Sequence, residues 1–196
     1  MTLLLHKEIE RLKKELLALG AIVEELLRKA VRALQARDAK LAREVMEADE
    51  RVDNREVELE EDGLKIIALH QPVAIDLRFI VSVLRINSDL ERIGDLAVNI
   101  AERARYLAGA EPLAVPIDFR PMAETAQEML TKSLDAFVNM DTTLAQQILH
   151  DRAEREEFLL EAFDLLVQQE GHRRLSFAGI SRSARSRSPS SRAGAA

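Results

Sequence analysis

Residues 89–102 read DLERIGDLAVNIAE, and this stretch decides the fold. Apolar residues recur through it and beyond it at spacings of three and four, namely Ile86, Leu90, Ile93, Ala97, Ile100, Ala104 and Leu107. That spacing is typical of one apolar stripe on an α-helix. Glu91, Asp95 and Asn99 recur every fourth residue on a different face of the same helix. The stretch therefore predicts a helix that carries a core seam and a separate row of oxygen ligands.

The composition extends this helical prediction to the whole chain of 196 residues, a length that suits one large or two small domains. Hydrophobic residues make up 47% and aromatic residues only 4%, while Ala, Leu, Glu and Arg dominate. This is a composition of long helices, and no alternating run of β-branched residues indicates a strand. Cys is absent, which excludes disulfides, thiolate metal sites and Cys nucleophiles and fits a reducing cytoplasm.

Hydropathy and charge indicate where the protein acts and what it binds. No apolar run approaches the roughly 20 residues that span a bilayer, and the apolar start at residues 3–5 is too short for a signal peptide. We therefore expect a cytoplasmic protein, soluble or peripherally attached to a membrane. Residues 172–196 hold six Arg and no acid, so the preceding residues carry 22 basic and 34 acidic side chains. A body this acidic does not favour nucleic acid as a partner, but it could hold cations.

Periodicity and helix-ending residues divide the chain into five predicted helices, at residues 3–36, 39–69, 74–108, 119–139 and 141–169. Asp38 is a suitable N-cap for the second helix, and Gln71-Pro72 ends it because proline lacks a backbone N–H. Gly109 is a candidate C-cap for the third helix. Residues 109–118 contain two prolines and are predicted to link a first unit, residues 1–108, to a second.

The second unit, residues 119–170, begins as a copy of the first at a constant offset of 103. Residues 25–31 align with residues 128–134, Asp38 aligns with Asp141, and Val45 aligns with Ile148. The copy does not continue to its end, because the helical pattern stops after Gly171. Residues 171–196 form a Ser/Arg-rich tail, which we expect to be poorly ordered. A copy of residues 89–102 is missing from the second unit.

The second and third helices predict a carboxylate cluster if they form an antiparallel hairpin centred on Pro72. Asp53 and Glu91 each lie 19 residues from Pro72, and Asp49 and Asp95 each lie 23 residues from it. Two carboxylate pairs one turn apart would then face each other across the hairpin. Unpaired carboxylates this close repel one another, and a multivalent cation relieves the repulsion. An all-oxygen set suits hard cations such as Mg²⁺, Mn²⁺, Ca²⁺ or iron.

A plainer interpretation stays open beside the metal site. Charge rows on helices are usually solvated faces, and Arg51, Arg55 and Arg92 could neutralise these acids in weak surface salt bridges. A di-iron oxidase would need Glu-x-x-His pairs, and none of the four His residues has a Glu three positions before it. No phosphate-binding loop or Ser/His/Asp pattern occurs. The sequence therefore predicts no catalytic residue and no site for an organic cofactor.

The chain resembles a known family in two stretches, residues 71–78 (QPVAIDLR) and residues 90–102 (LERIGDLAVNIAE). Together with the long helices and the repeat, they are similar to the PhoU family of phosphate-signalling regulators. The resemblance covers about residues 5–170. It implies a fold of two tandem three-helix bundles built from long antiparallel helices, of which the second is incomplete here.

The resemblance also implies a function and partners. Family members are negative regulators of phosphate uptake and phosphate-starvation signalling, and they are not established enzymes. They link a phosphate ABC transporter to a membrane sensor histidine kinase, so we expect membrane association through these partners only. Their Glu/Asp-x-x-x-Asp motifs carry iron or other divalent or trivalent metals, with Mg, Mn and Zn also possible. Here those motifs fall on Asp49 with Asp53 and on Glu91 with Asp95.

The second half departs from the family pattern. Asp151 is followed four residues later by Arg155 rather than by an acid, and the second copy of the Glu-Arg-x-Gly-Asp helix is absent. The tail therefore suggests a truncation or a changed reading frame; a native tail would instead suit anionic surfaces.

An incomplete second bundle exposes an apolar face, so we expect a homodimer or a larger self-assembly. Two alternative functions stay open, a metal-dependent phosphatase and a plain helical scaffold.

Overall fold

The computed structural model describes residues 3–110 and 118–151, and within these ranges it contains helices and no strand. The helices are α1 (Leu3–Ala36), α2 (Ala39–His70), α3 (Ala74–Ala108), α4 (Arg120–Val138) and α5, which is described over residues 142–151. The all-α prediction is confirmed, and the predicted ends of the first four helices are correct to within one residue. The predicted end of the fifth helix and the Ser/Arg-rich tail lie outside the described residues.

The chain divides into two compact units, Met1–Ile148 and Leu149–Ala196. The first unit contains α1 to α4 and the beginning of α5. Of the second unit only residues 149–151 are described. The predicted domain boundaries at residues 108 and 119 stay a prediction. In the structure, α4 packs against α1 within the unit Met1–Ile148.

The core of the first unit lies where α1, α2 and α3 pack along one another. On α1, one face spaced by three and four residues is completely buried and includes Leu12, Leu16, Leu19 and Val23. α2 contributes Val45 and Val52 and α3 contributes Ile80 and Val83, all without solvent exposure. Burial of these long apolar stripes, rather than helix propensity, supplies most of the stability of such helices.

The buried seam of α3 lies to one side of the predicted apolar stripe. Leu90, Ala97 and Ala104 are buried as predicted, but Ile86, Ile93 and Ile100 are only half-buried at its margin. The centre of the seam instead passes through Asn87, Gly94 and Ala101. A Cβ at Gly94 would lie 3.3 Å from Val52 Cγ1, so the absence of a side chain lets α2 and α3 approach closely. A search for large apolar residues misses these three positions, because their side chains are small, absent or polar.

The turn between α1 and α2 recurs between α4 and α5 at the predicted offset of 103. In the first turn Arg37 has φ 51° and Asp38 N donates to Ala33 O at 2.9 Å. In the second turn Met140 has φ 55° and Asp141 N donates to Ala136 O at 2.8 Å. This pair of features is the Schellman helix ending, with a left-handed residue in the place that glycine usually takes. The internal repeat is therefore present in the backbone as well as in the sequence.

Both aspartates then cap the helix that follows, as predicted for Asp38. Asp38 Oδ1 accepts hydrogen bonds from Lys40 N at 2.9 Å and Leu41 N at 3.0 Å. Asp141 Oδ1 accepts equivalent bonds from the backbone N–H groups of Thr143 and Leu144. Each side chain satisfies backbone donors that a helix start leaves without a partner.

Replacement of Asp38 by Ala is expected to lower the free energy of unfolding by about 1 kcal/mol, because the first turn of α2 loses its capping acceptor. Asp38→Asn is the matched control, since asparagine caps about as well as aspartate. Urea denaturation followed by circular dichroism measures both variants. Equal losses in the two variants would contradict the capping role and point to the charge instead.

α4 packs against α1 through a close helix contact. A Cβ at Gly20 of α1 would overlap Leu134 Cδ1 of α4, so the glycine admits the leucine. The ring of Phe137 stacks on Phe79 of α3 with centroids 5.0 Å apart. Thr131 Oγ1 donates to Glu24 Oε1 at 2.7 Å on the exposed side of the same contact.

Candidate metal centre on the α2–α3 hairpin

α2 and α3 form the antiparallel hairpin that the sequence predicted. Gln71, with φ 45°, ends α2, and its backbone N–H bonds to Ile67 O. Asn87 Nδ2 of α3 donates to Glu56 O of α2 at 2.8 Å, and Gly94 faces Val52. Both contacts join residues at nearly equal distances before and after Pro72. The register used to pair the acidic residues is therefore confirmed.

This register places Asp49 and Asp53 of α2 on one surface with Glu91 and Asp95 of α3. Asp49 and Glu91 are half-buried, whereas Asp53 and Asp95 are exposed. Burial raises the pKa of Asp49, and the charges of Asp53 and Asp95 raise it further. Burial also raises the pKa of Glu91, and Asp95, Glu56, Asp53 and Asp49 add to that rise. The four carboxylates thus repel one another, which is the condition that a bound cation relieves.

Arginines do not neutralise this surface in the described part of the chain. Arg55 pairs with Glu58 at 3.0 Å, and Arg92 pairs with Asp89 at 3.6 Å. None of the four acids forms an ion pair within residues 3–110 and 118–151, and every neighbouring charge that shifts the pKa of Asp49 or Glu91 raises it. The repulsion is therefore not offset by nearby side chains.

The donor set fits a hard cation in its chemistry, because all four side chains offer carboxylate oxygens. Their present rotamers, however, do not bring three or more His, Asp or Glu side chains together as a ligand group anywhere in the described residues. Metal binding by Asp49, Asp53, Glu91 and Asp95 thus stays a prediction. The structure supplies the shared surface and the repulsion between its carboxylates.

Two residues beside these four acids, one half-buried and one buried, were not assigned to the site from the sequence. Glu56 is half-buried, and its pKa is raised by burial and then by the charges of Glu60 and Asp53. Asn87 is 1% exposed, and its Oδ1 has no hydrogen-bond partner. Glu56 could have been found because Asp49, Asp53, Glu56 and Glu60 recur at spacings of three and four along α2. Asn87 could have been found as the one polar residue among the apolar positions 80, 83, 90 and 97 of α3.

In the metal-free protein, Asp49→Asn with Glu91→Gln is expected to raise the free energy of unfolding near pH 7. Both pKa values are raised above the ordinary carboxyl values of 3.8 and 4.5, so the unfolded chain loses these protons first. The penalty is absent below those values, appears as the pH rises through them, and is complete above the folded-state pKa values. Urea midpoints of wild type and variant, compared at several pH values from about 3 to 7, measure this difference. A gain that is independent of pH would contradict the electrostatic cause.

A groove of about 510 Å³ between α1 and α2 is a second concave feature of the first unit. Several of its charges are paired with one another, since Asp62 contacts both Arg11, at 3.0 Å, and Lys65, at 3.4 Å. Burial raises the pKa of Glu15 on the same wall. In the described residues no helix is both long and apolar enough to cross a bilayer.

These features define an all-α repeat protein whose first unit is a bundle of long helices with an acidic surface on one hairpin. Its sequence matches the family model described as the PhoU domain over residues 16–104 and 119–184. The chain therefore belongs to the PhoU family.

Relatives and solved structures agree with this assignment. A protein of Aquifex aeolicus named "Phosphate-specific transport system accessory protein PhoU homolog" is 41% identical over 145 residues, which cover 74% of this chain and 66% of the relative. A Pseudomonas putida protein of the same name is 38% identical over 73% of this chain and 56% of its own length. The chain thus spans between about half and two thirds of these relatives.

The fold comparison supports the family at the level of structure. The crystal structure of PhoU from Pseudomonas aeruginosa superposes with a TM-score of 0.77 and 33% identity, covering 91% of this chain and 85% of that one. The phosphate transport system regulatory protein PhoU from Streptococcus pneumoniae gives a TM-score of 0.73 and 26% identity, over 85% of this chain and 79% of that one. The predicted PhoU-like architecture is therefore confirmed.

Proposed function

We propose that this chain is an accessory regulator of phosphate transport that restrains phosphate uptake and phosphate-starvation signalling. The observation that carries the proposal is family membership together with relatives named as accessory proteins of the phosphate-specific transport system. In this role the chain binds proteins rather than converting a substrate. Its long exposed helix faces suit such contacts.

The regulator would couple a phosphate ABC transporter to a sensor histidine kinase at the cytoplasmic side of the membrane. The relatives' names support the transporter as a partner. The kinase rests on the family resemblance of residues 71–78 and 90–102. Contact with one partner would then change how strongly the chain holds the other, which is the usual form of such coupling.

Asp49, Asp53, Glu91 and Asp95 would hold iron or another divalent or trivalent cation in this regulator. A cation bound there neutralises carboxylates whose charges otherwise raise the pKa values of Asp49 and Glu91. It also joins α2 to α3 by bonds that the hairpin lacks without it. The metal would therefore stabilise the acidic surface and set the charge that partners meet.

A metal-dependent phosphatase is the second candidate, and the raised pKa of Glu91 is the observation that favours it. A carboxyl group with a raised pKa can act as a general base on water that a metal activates. Metal-dependent turnover of phosphate esters that disappears in a Glu91→Gln variant would establish this function. Turnover that is equal in wild type and variant would exclude it.

Self-association is part of the proposal. α4 buries only Leu134 and Ala136 of its side chains, while Met122 and Met140 are 50% and 61% exposed. Apolar surface of this kind favours association with a second copy or with a partner. Sedimentation of the purified full chain over a range of concentrations measures the oligomeric state.

Co-purification tests the proposed function. The full chain, carrying an affinity tag, is expected to retain the phosphate transporter and the sensor kinase from detergent-solubilised membranes of its own host. Binding should weaken in a variant with Asp49→Asn, Asp53→Asn, Glu91→Gln and Asp95→Asn. The matched control is a variant with four exposed α2 acids changed to amides, Glu44→Gln, Glu47→Gln, Glu58→Gln and Glu61→Gln. Recovery of neither partner by folded wild type would contradict the proposal.

A further inference from the structure

Five large aliphatic side chains are exposed at one end of the first unit. Their exposed fractions are 73% for Leu3, 65% for Leu4, 78% for Leu69, 75% for Val73 and 69% for Ile75. We call these five residues the apolar end. Side chains of this kind are normally buried, and a group of them at one place marks an interaction site.

The helix register brings these residues to the same level. Leu69, Val73 and Ile75 lie on the two sides of the α2–α3 turn. The ion pair between Arg11 and Asp62, 3.0 Å long, fixes the level of α1 against the antiparallel α2. Leu4 lies seven residues before Arg11, and Leu69 lies seven residues after Asp62, so both reach the same end of the bundle.

The apolar end consists of aliphatic side chains at the end of the helical bundle. None of its five residues lines the groove between α1 and α2. Energetically dominant residues in protein interfaces are mostly Trp, Tyr and Arg, with Leu and Val under-represented. Exposed Leu, Ile and Val side chains at the end of a helical bundle suit insertion into the acyl boundary of a lipid bilayer, which needs no matching pocket.

The charges beside the apolar end complement an anionic membrane surface. Lys7 and Arg78 are exposed there, and neither forms an ion pair in the described part of the chain. Glu8 and Asp76, the acids of the same turns, are half-buried. Glu8 pairs with Arg11 at 3.2 Å. Asp76 lies in the first turn of α3, where the helix dipole stabilises its negative charge. The acidic surface around Asp53 and Asp95 lies further along the hairpin and would be repelled by anionic lipid.

We propose that the apolar end inserts into the surface of an anionic lipid bilayer, with the helices of the first unit pointing away from it. This inference goes beyond the proposed function, in which protein partners alone bring the chain to the membrane. No helix of residues 3–110 and 118–151 crosses the bilayer in this arrangement. The contact consists of five aliphatic side chains with Lys7 and Arg78 at the headgroups.

Vesicle binding tests the proposal on the full chain. Phosphatidylcholine vesicles with roughly 30% phosphatidylglycerol are expected to bind wild type, and pure phosphatidylcholine vesicles to bind it more weakly. Leu69→Ser, Val73→Ser and Ile75→Ser together should weaken binding to the anionic vesicles at least about tenfold. Val57→Ser, Leu96→Ser and Tyr106→Ser, three exposed positions away from the apolar end, are the matched control and should bind as wild type does. Circular dichroism confirms folding of both variants.

A single-cysteine probe separates insertion of the apolar end from binding by the Arg-rich tail. The chain has no Cys, so Val73→Cys and Tyr106→Cys each create one labelling site for an environment-sensitive fluorophore. Anionic vesicles should shift the emission of the label at position 73 to the blue and leave that at position 106 unchanged.

Four results would overturn the proposal. The first is unchanged emission at position 73, and the second is equal shifts at positions 73 and 106. The third is vesicle binding that the triple Ser variant at the apolar end retains in full, since that variant still carries the tail. Loss of binding to detergent-solubilised transporter with unchanged vesicle binding would also overturn it and assign the apolar end to a protein partner.

Discussion

Replacement of Leu90 by Ala should lower the free energy of unfolding by about 3 kcal/mol. Leu90 is 1% exposed and lies in the buried seam of α3, between the positions of Asn87 and Gly94. Truncation removes buried methyl groups and leaves a cavity that rigid neighbouring helices fill only in part. Urea denaturation of the metal-free protein, followed by circular dichroism, measures the loss.

Leu96→Ala is the matched control for this prediction. Leu96 lies on the same helix but is 59% exposed, so the same chemical change should alter the free energy by no more than about 0.5 kcal/mol. Equal losses at Leu90 and Leu96 would contradict the assignment of the seam. A larger loss at Leu96 would mean that α3 presents its other face to α1 and α2.

Substitution of the four clustered acids by amides should abolish metal retention. Wild type purified without a metal-binding tag is expected to retain iron or another multivalent cation, measured by elemental analysis. The variant with Asp49→Asn, Asp53→Asn, Glu91→Gln and Asp95→Asn should retain less than about a tenth as much, because amides bind hard cations far more weakly than carboxylates. Without metal, that variant should be more stable than wild type near pH 7, since it carries no repulsion.

The control for metal retention is the variant with Glu44→Gln, Glu47→Gln, Glu58→Gln and Glu61→Gln, which removes the same number of charges from exposed positions of α2. It should retain metal as wild type does. Equal metal content in all three proteins would exclude the hairpin site. Loss in both variants would show that general negative charge, rather than the four paired acids, attracts the cation.

Local signals in the sequence were sufficient for the helix ends and for the hairpin register. Asp38 supplies acceptors for backbone donors, and Gln71-Pro72 cannot continue a helix, so both act within a few residues of themselves. Symmetry about Pro72 then fixes which residues of α2 and α3 meet. The pairing of Asp49 with Asp95 follows from that symmetry, and the charge of Asp95 raises the pKa of Asp49, in agreement with it.

The features that the sequence did not reveal depend on contacts between distant helices. Gly94 and Gly20 carry no side chain, yet each lies against a side chain of a neighbouring helix. Asn87 is polar, yet it is buried, and its side-chain amide donates a hydrogen bond to Glu56 O. Hydrophobic periodicity depends on apolar side chains alone. It therefore cannot detect a glycine that lies against a neighbouring helix, or a polar residue whose hydrogen bond permits its burial.

Repression of a phosphate-starvation reporter tests the central claim most directly. The claim is that this chain restrains phosphate-starvation signalling through the acidic surface of the α2–α3 hairpin. In cells that lack their own PhoU-family protein, wild-type chain should restore repression at high phosphate, and the variant with amides at positions 49, 53, 91 and 95 should not. Equal repression by wild type and variant, or none by folded wild type at matched expression, would contradict the claim.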